Sequence, residues 1–306
     1  MAPHITVVPA STKVGKATVR LLLASEEKPS VRAIYRDISK APTEFAGNPE
    51  FEAVKGDVAT GDGLDFSGSD AVLYVPPPTF ENIDQSNWAR QTATNVKNAL
   101  HSFGIKRLVL LSALGAHNDH GIGLVRLNHN TDQVLQNAVS EVTVLRPTHF
   151  QEEFSYLFQV PLGDPPTIQS WVAPSNYKVP MVSGKDIAET CVKYLLKPSG
   201  QPSPYCLNIL GPQPYSSEDV KSAFEEVTGK KVELKLLEGP GLEAFFKMIF
   251  PEHAIPDFME MIGASLPGGL ITKDYDYDEN TVRGKVELID TLRELNEKLD
   301  SDFVRF

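Results

Sequence analysis

Two clusters in the first part of the chain carry residue types and spacing suited to holding a phosphorylated ligand. Ser11, Thr12 and Lys13 stand between an apolar run, Ile5-Thr6-Val7-Val8, and a stretch with helical spacing, Lys13 to Ala24. Two hydroxyls and an ammonium at a helix start form an anion site, because the first helical N–H groups point outward and the helix dipole favours negative charge. Tyr35-Arg36-Asp37 closes a second apolar run. At such a strand end an acidic side chain suits the ribose 2′-hydroxyl of NAD, whereas an arginine accommodates the 2′-phosphate of NADP. The plainer reading of Arg36 is a solvated surface arginine. His117-Asn118-Asp119-His120 has metal-ligand residue types, but Gly121 and Gly123 beside it make it a flexible polar loop, and no metal is expected there. Cys191 and Cys206, the two cysteines, are too few for a disulfide framework or a Cys-rich zinc site.

The elements that must position these groups follow from the apolar periodicity. Strand-like runs at 5–8, 31–35, 51–55, 70–75, 107–113 and 142–145 alternate with helical stretches at 13–24, 88–103 and 130–139. Alternation at this spacing predicts a doubly wound, parallel α/β sheet. Right-handed crossovers then bring the strand C-termini to one edge, where such folds bind ligands. Val75-Pro76-Pro77-Pro78 leaves the fourth strand at that edge as a stiff wall. After Pro147 the rhythm loosens. Residues 159–180 read as a proline-rich loop or lid, followed by helices at 183–196 and 216–228, strands at 205–209 and 232–237, a Phe- and Met-rich helical region at 241–263 and a last helix at 286–299. Ser183 is placed as an N-cap, and Ser216 and Gly229 as the start and stop of the 216–228 helix. Residues 1–150 are expected to form the doubly wound domain and 151–306 a C-terminal part interleaved with it.

Composition narrows the class. The 306 residues carry 29 Lys+Arg against 40 Asp+Glu, a formal charge of −11, which argues against binding a nucleic-acid backbone. No stretch has the roughly 18 consecutive apolar residues that cross a bilayer, and the start leads directly into a strand pattern with no signal peptide. A cytoplasmic protein with a small-molecule ligand is expected, of unspecified oligomeric state.

Four stretches resemble the NmrA-like branch of the atypical short-chain dehydrogenase/reductase family: ITVVPASTKVGKATVRLLLA at 5–24, GIKRLVLLSALGA…TVLRPTHF over 104–150, VPMVSGKDIAETCVKYLL at 179–196, and LNILGPQPYSSEDVKSAFEEVTGKKVEL at 207–234. The resemblance implies a Rossmann domain with a small C-terminal α/β substrate domain, a cleft between them, and NADP(H) as cofactor. Its cofactor loop has the pattern G-x-x-G-x-x-G, of which this chain keeps only Gly15 within Pro9-Ala10-Ser11-Thr12-Lys13-Val14-Gly15. Proline cannot take the left-handed turn, and Thr12 puts a branched side chain where the family has bare backbone. Two readings follow: a degenerate, empty pocket, or an altered cradle formed by residues 10–14. The resemblance further implies cofactor contacts from Asp57 and Val58 on the adenine side, from Val75, Pro76 and Pro77 after the fourth strand, and from Pro147, Thr148 and Phe150 in the R-P-x-x-F segment.

The family's Tyr-x-x-x-Lys pair is absent. Ser112 stands where the family keeps its serine, and His129 where it keeps a functional Lys or His. Histidine can bond the nicotinamide ribose or pass a proton. Each also has a plainer reading, Ser112 as a strand-end hydroxyl bonded to backbone and His129 as a helix-start cap. His149 and Glu152 or Glu153 would reach the cleft as acid or base, with Glu153 taken as the catalytic candidate; paired glutamates at a helix start equally complement its dipole. Three functions are compatible with this set: an NADPH-dependent reductase of a bulky, apolar imine or enone of secondary metabolism; a redox-neutral cyclase or isomerase retaining NADP(H); and a non-catalytic NADP(H) sensor.

Overall fold

The computed structural model describes residues 2–159 and 162–299. In chain order the first elements are β1 (His4–Val8), α1 (Lys13–Leu23), β2 (Ser30–Tyr35), β3 (Phe51–Lys55), β4 (Ala71–Tyr74), α2 (Gln85–Ser102), β5 (Arg107–Leu111), α3 (Arg126–Leu135) and β6 (Glu141–Pro147). They are followed by β7 (His149–Phe150), α4 (Tyr156–Gln159), β8 (Thr167–Ser170), β9 (Val179–Val182), α5 (Gly184–Leu196), β10 (Tyr205–Leu210), β11 (Pro214–Tyr215), α6 (Ser217–Thr228), β12 (Glu233–Leu236), α7 (Gly239–Lys247), α8 (Ile255–Ser265), β13 (Thr281–Arg283) and α9 (Leu288–Leu299). An eight-stranded sheet has the order β13-β10-β6-β5-β4-β1-β2-β3. Every pairing from β3 to β6 is parallel. The expected doubly wound α/β class is therefore the observed one.

The chain divides into two compact units. Among the described residues the first takes those up to Asp119, Leu124–Arg146 and Ile187–Asn208; the second takes His120–Gly123, Pro147–Asp186 and those from Ile209 on. In the first unit the central strands β1, β4 and β5 are buried almost throughout because helices cover both faces. Val72, Leu108, Leu110 and Val144 share one core with Ala93 and Leu100 of α2, while α1 buries Val14, Val19 and Leu22. In the second unit β8 pairs in parallel with β12, and α6 opens with a reciprocal capping box between Ser216 and Asp219 and closes on left-handed Gly229. Ser183 accepts from the Asp186 N–H, as an N-cap does. Phe246 and Phe258 bury their rings against each other, 5.2 Å between centroids.

Several element boundaries differ from the periodicity. Helix α2 begins at Gln85, where Asp84 caps it by accepting from the Asn87 N–H; its polar first turn carries no apolar period. Helix α3 covers Arg126–Leu135, not 130–139, because its buried stripe is Leu127, Thr131 and Leu135, with a threonine in the middle. Within 159–180, β8 forms despite the neighbouring prolines, since its backbone bonds to β12; residues 160 and 161 lie outside those described. The 241–263 region is two helices, α7 and α8, separated around Pro251.

Candidate functional site

The parallel order makes β1 and β4 neighbours, while the chain from β1 crosses first to β2 on the other side. This reversal is the switch point at which doubly wound sheets open a crevice beyond the strand C-termini. The loop from Pro9 to Thr12 and the Val75-Pro76-Pro77 segment flank it, tied by the Val75 N–H donating to the Val8 carbonyl at 3.0 Å. The Ala10 N–H reaches the Ile34 carbonyl at 2.9 Å and joins the loop to the end of β2.

Within the loop, Thr12 does the work of a turn former. Its hydroxyl donates to the Pro9 carbonyl at 3.1 Å and accepts from the Gly15 N–H at 3.0 Å, which caps α1. Gly15 is required there: a Cβ would lie 2.6 Å from the Pro9 oxygen and 2.7 Å from Thr12 Oγ1. The third glycine of the dinucleotide pattern thus keeps its function of close helix–loop packing, and Thr12 holds the turn that the missing glycines would have allowed. Because its one proton goes to Pro9, the Thr12 hydroxyl can only accept from a ligand. Ala10 and Val14 are buried; Ser11 and Lys13 are exposed beside the start of α1. These groups fit a phosphate-bearing ligand through the helix N-terminus, the Ser11 hydroxyl and the Lys13 charge.

Arg36 is exposed just past β2. Asp37 is turned onto Ser39, accepting from its N–H at 3.0 Å and its hydroxyl at 2.8 Å; these bonds hold its carboxyl below the usual range. Asp57 follows β3, its carboxylate accepting from the Ala59 N–H at 2.9 Å, and the Val58 carbonyl accepts from Asn95 at 3.0 Å. Trp88 donates its indole N–H to the Pro77 carbonyl at 2.8 Å and so fixes the proline wall to α2.

At the end of β5, Ser112 is 4% exposed and donates to Asp132 Oδ2 at 2.8 Å. Arg146, from β6, places Nη2 3.3 Å from the same oxygen. Asp132 is 2% exposed, and burial pushes its carboxyl up to about 6 against the pull of Arg146 and Ser112. Its Oδ1, and Arg146 Nε, are buried with no hydrogen-bond partner. One turn earlier on the same face of α3, His129 meets the Ala116 carbonyl through Nδ1 at 2.9 Å. A carbonyl only accepts, so Nδ1 carries a proton, and in that tautomer Nε2 is the acceptor. Asp132 was not among the sequence candidates; its signal was the His129-x-x-Asp132 spacing together with a lone arginine inside an apolar strand.

The second unit holds the other candidates. Thr148 donates its hydroxyl to the Pro180 carbonyl at 2.9 Å, Pro147 is buried, Phe150 is half-buried and Glu153 is exposed. His149 lies against Trp171, 4.8 Å between ring centroids, and burial pushes its imidazole down to about 4; it is neutral near pH 7. Glu152 accepts from the Gly184 N–H at 2.8 Å, at the start of α5. The first unit therefore holds residues 10–14, Arg36, Asp57, Val58, 75–77 and Ser112 just past the ends of its parallel strands and His129 on α3, and Pro147, Thr148, Phe150 and Glu153 lie in the second.

Switch-point crevice, Gly15 contact and helix start together define a dinucleotide-binding Rossmann protein. A sequence model described as NAD(P)H-binding matches residues 10–198, more than half the chain, and the chain belongs to that family, as the NmrA-like resemblance implied. Comparison with curated proteins gave no match. Among solved structures of the same fold, triphenylmethane reductase from Citrobacter sp. complexed with NADP(H) is 19% identical with TM-score 0.76, covering 95% of this chain and 99% of that one. NADPH-dependent quinone oxidoreductase QOR2 from Escherichia coli, complexed with NADPH, is 16% identical with TM-score 0.74 over 95% and 99%. A mutant form of NmrA is 14% identical with TM-score 0.70 over 98% and 97%. No helix among the described residues is long and apolar enough to cross a membrane.

Proposed function

We propose that the protein is an NADPH-dependent oxidoreductase acting on a bulky, apolar organic substrate, an imine or enone such as those of secondary metabolism. The observation that carries this reading is the Thr12–Gly15 loop at the switch point of a chain belonging to the NAD(P)H-binding family. Membership supplies the cofactor class; the NADP(H) in two of the similar structures is in keeping with it. The choice of NADP over NAD rests on Arg36 and Asp37. The guanidinium is exposed where the 2′-phosphate is accommodated, and the carboxylate that would favour a 2′-hydroxyl is engaged by Ser39.

When bound, the cofactor supplies a hydride. The protein's part is to hold the phosphates at the start of α1 with Ser11 and Lys13, to orient the nicotinamide end between the Pro76–Pro77 wall and the end of β5, and to present Ser112 and His129 there. Calorimetric titration tests the reading: NADPH should bind more tightly than NADH, and Arg36→Ala should weaken NADPH roughly tenfold or more while leaving NADH unchanged. If neither nucleotide binds, the oxidoreductase reading fails.

A second reading, a redox-neutral cyclase or isomerase with retained NADP(H), is favoured by the missing Tyr-x-x-x-Lys pair and by a Ser112 proton already engaged by Asp132. Product formation without a fall in absorbance at 340 nm would select it.

A further inference from the structure

Ser112 after β5 and His129 on α3 share one property. Ser112 gives its single hydroxyl proton to Asp132, and His129 gives its Nδ1 proton to the Ala116 carbonyl. What each has left is a lone pair: the Ser112 oxygen and His129 Nε2. Asp132 Oδ1 is a third acceptor, buried and without a partner. The donor of the cluster, Arg146, has a buried Nε with no partner beside the Asp132 contact of its Nη2; a guanidinium does not release a proton, so it cannot serve as an acid. The Arg146 guanidinium, with Nη2 3.3 Å from the same Asp132 oxygen, favours the carboxylate and so keeps Ser112 in this donor role. The chain's charge of −11 adds a field that favours cations over neutral molecules.

We propose that Ser112 and His129, polarised by Asp132 and the Ala116 carbonyl, form a pair of acceptors that selects a substrate bringing its own N–H, a protonated imine, over a ketone or enone of the same skeleton. This rests on the oxidoreductase reading and specifies its substrate class. The chemistry balances without a proton donor. The iminium carbon takes a hydride, two electrons from NADPH, and the C=N π pair becomes the amine lone pair. A ketone taking the same hydride becomes an alkoxide and needs a proton that this cluster does not hold. Asp132 acts as a positioning residue through Ser112.

The test uses the NADP+-saturated protein at pH 7 and three small molecules sharing a bicyclic skeleton: 3,4-dihydroisoquinoline as the N–H iminium, its N-methyl iminium, and 1-tetralone. NADPH binding is measured first, so that failure of the oxidoreductase reading is seen separately. The N–H iminium should bind roughly tenfold or more tightly than 1-tetralone, consistent with one hydrogen bond to a charged group, with the N-methyl compound between them. Ser112→Ala should narrow that ratio, and Asp132→Asn should narrow it further, because an amide N–H facing Ser112 frees the hydroxyl to donate. An unchanged circular dichroism spectrum and Tm in Ser112→Ala show that the fold is intact. Equal or tighter binding of 1-tetralone, no binding of the iminium, or a ratio unchanged in Ser112→Ala would overturn the proposal.

Discussion

Asp132 is a carboxylate only 2% exposed on the otherwise amphipathic helix α3. Its carboxyl titrates near 6 in the folded state against an ordinary 3.8, so folding favours its protonated form. That contribution to stability is complete below about pH 4 and is lost as pH rises through about 6, an effect on the order of 3 kcal/mol. His149 has the opposite sign: its imidazole is pushed down to about 4, so its contribution is present above 6.5 and lost as pH falls toward 4. The two slopes oppose each other in the wild type. Asp132→Asn should therefore make stability, measured by urea denaturation between pH 4 and 7, rise more steeply with pH than in the parent. An identical profile would show that Asp132 is not titrating as described. Sequence reading located Ser112 and His129 but not the carboxylate between them, because an aspartate on a polar helix face is ordinary until the fold buries it. Thr12 illustrates the converse. It read as a side chain in the way of a cofactor, and the fold uses its hydroxyl to close the turn.

At the scale of elements, the six strands up to residue 145 and the two ends of α6 were legible, since continuous apolar runs and the Ser216 and Gly229 signals have local causes. The start of α2 and the position of α3 were not, because Asp84 capping and the Thr131 stripe depend on what each helix packs against. Strand β8 exists through β12, some sixty residues away in sequence, and no local pattern announces it. The glycine contact at α1 yields a direct expectation. Gly15→Ala would place a methyl 2.6 Å from the Pro9 oxygen, and the loop has to move; a loss of about 1–3 kcal/mol is expected, with NADPH binding weakened in the same variant. Ser216→Ala removes the α6 capping box and should cost about 1 kcal/mol with NADPH affinity unchanged. Thermal unfolding and titration of both variants separate a loop that serves the ligand from a cap that serves only its helix.

For the whole molecule, the acidic charge of 29 − 40 = −11 means that a phosphorylated ligand would have to be held against the net field by a few local cations, the roles proposed for Lys13 and Arg36. NADPH at 100 times its Kd should stabilise the fold by about 2.7 kcal/mol, seen as a rise in Tm of several degrees; no shift at that concentration would remove the dinucleotide from the account. The division of the chain has a consequence for how the protein is made. The first unit takes residues up to Asp119, Leu124–Arg146 and then Ile187–Asn208, so its last strand is translated only after a long stretch of the second unit. At about 5–20 residues per second, a nascent chain that has emerged through Arg146 waits several seconds with the edge of β6 uncovered. During that interval the exposed strand is a substrate for chaperones, and a fragment ending at residue 150 should remain in that waiting state permanently, binding holdases instead of nucleotide.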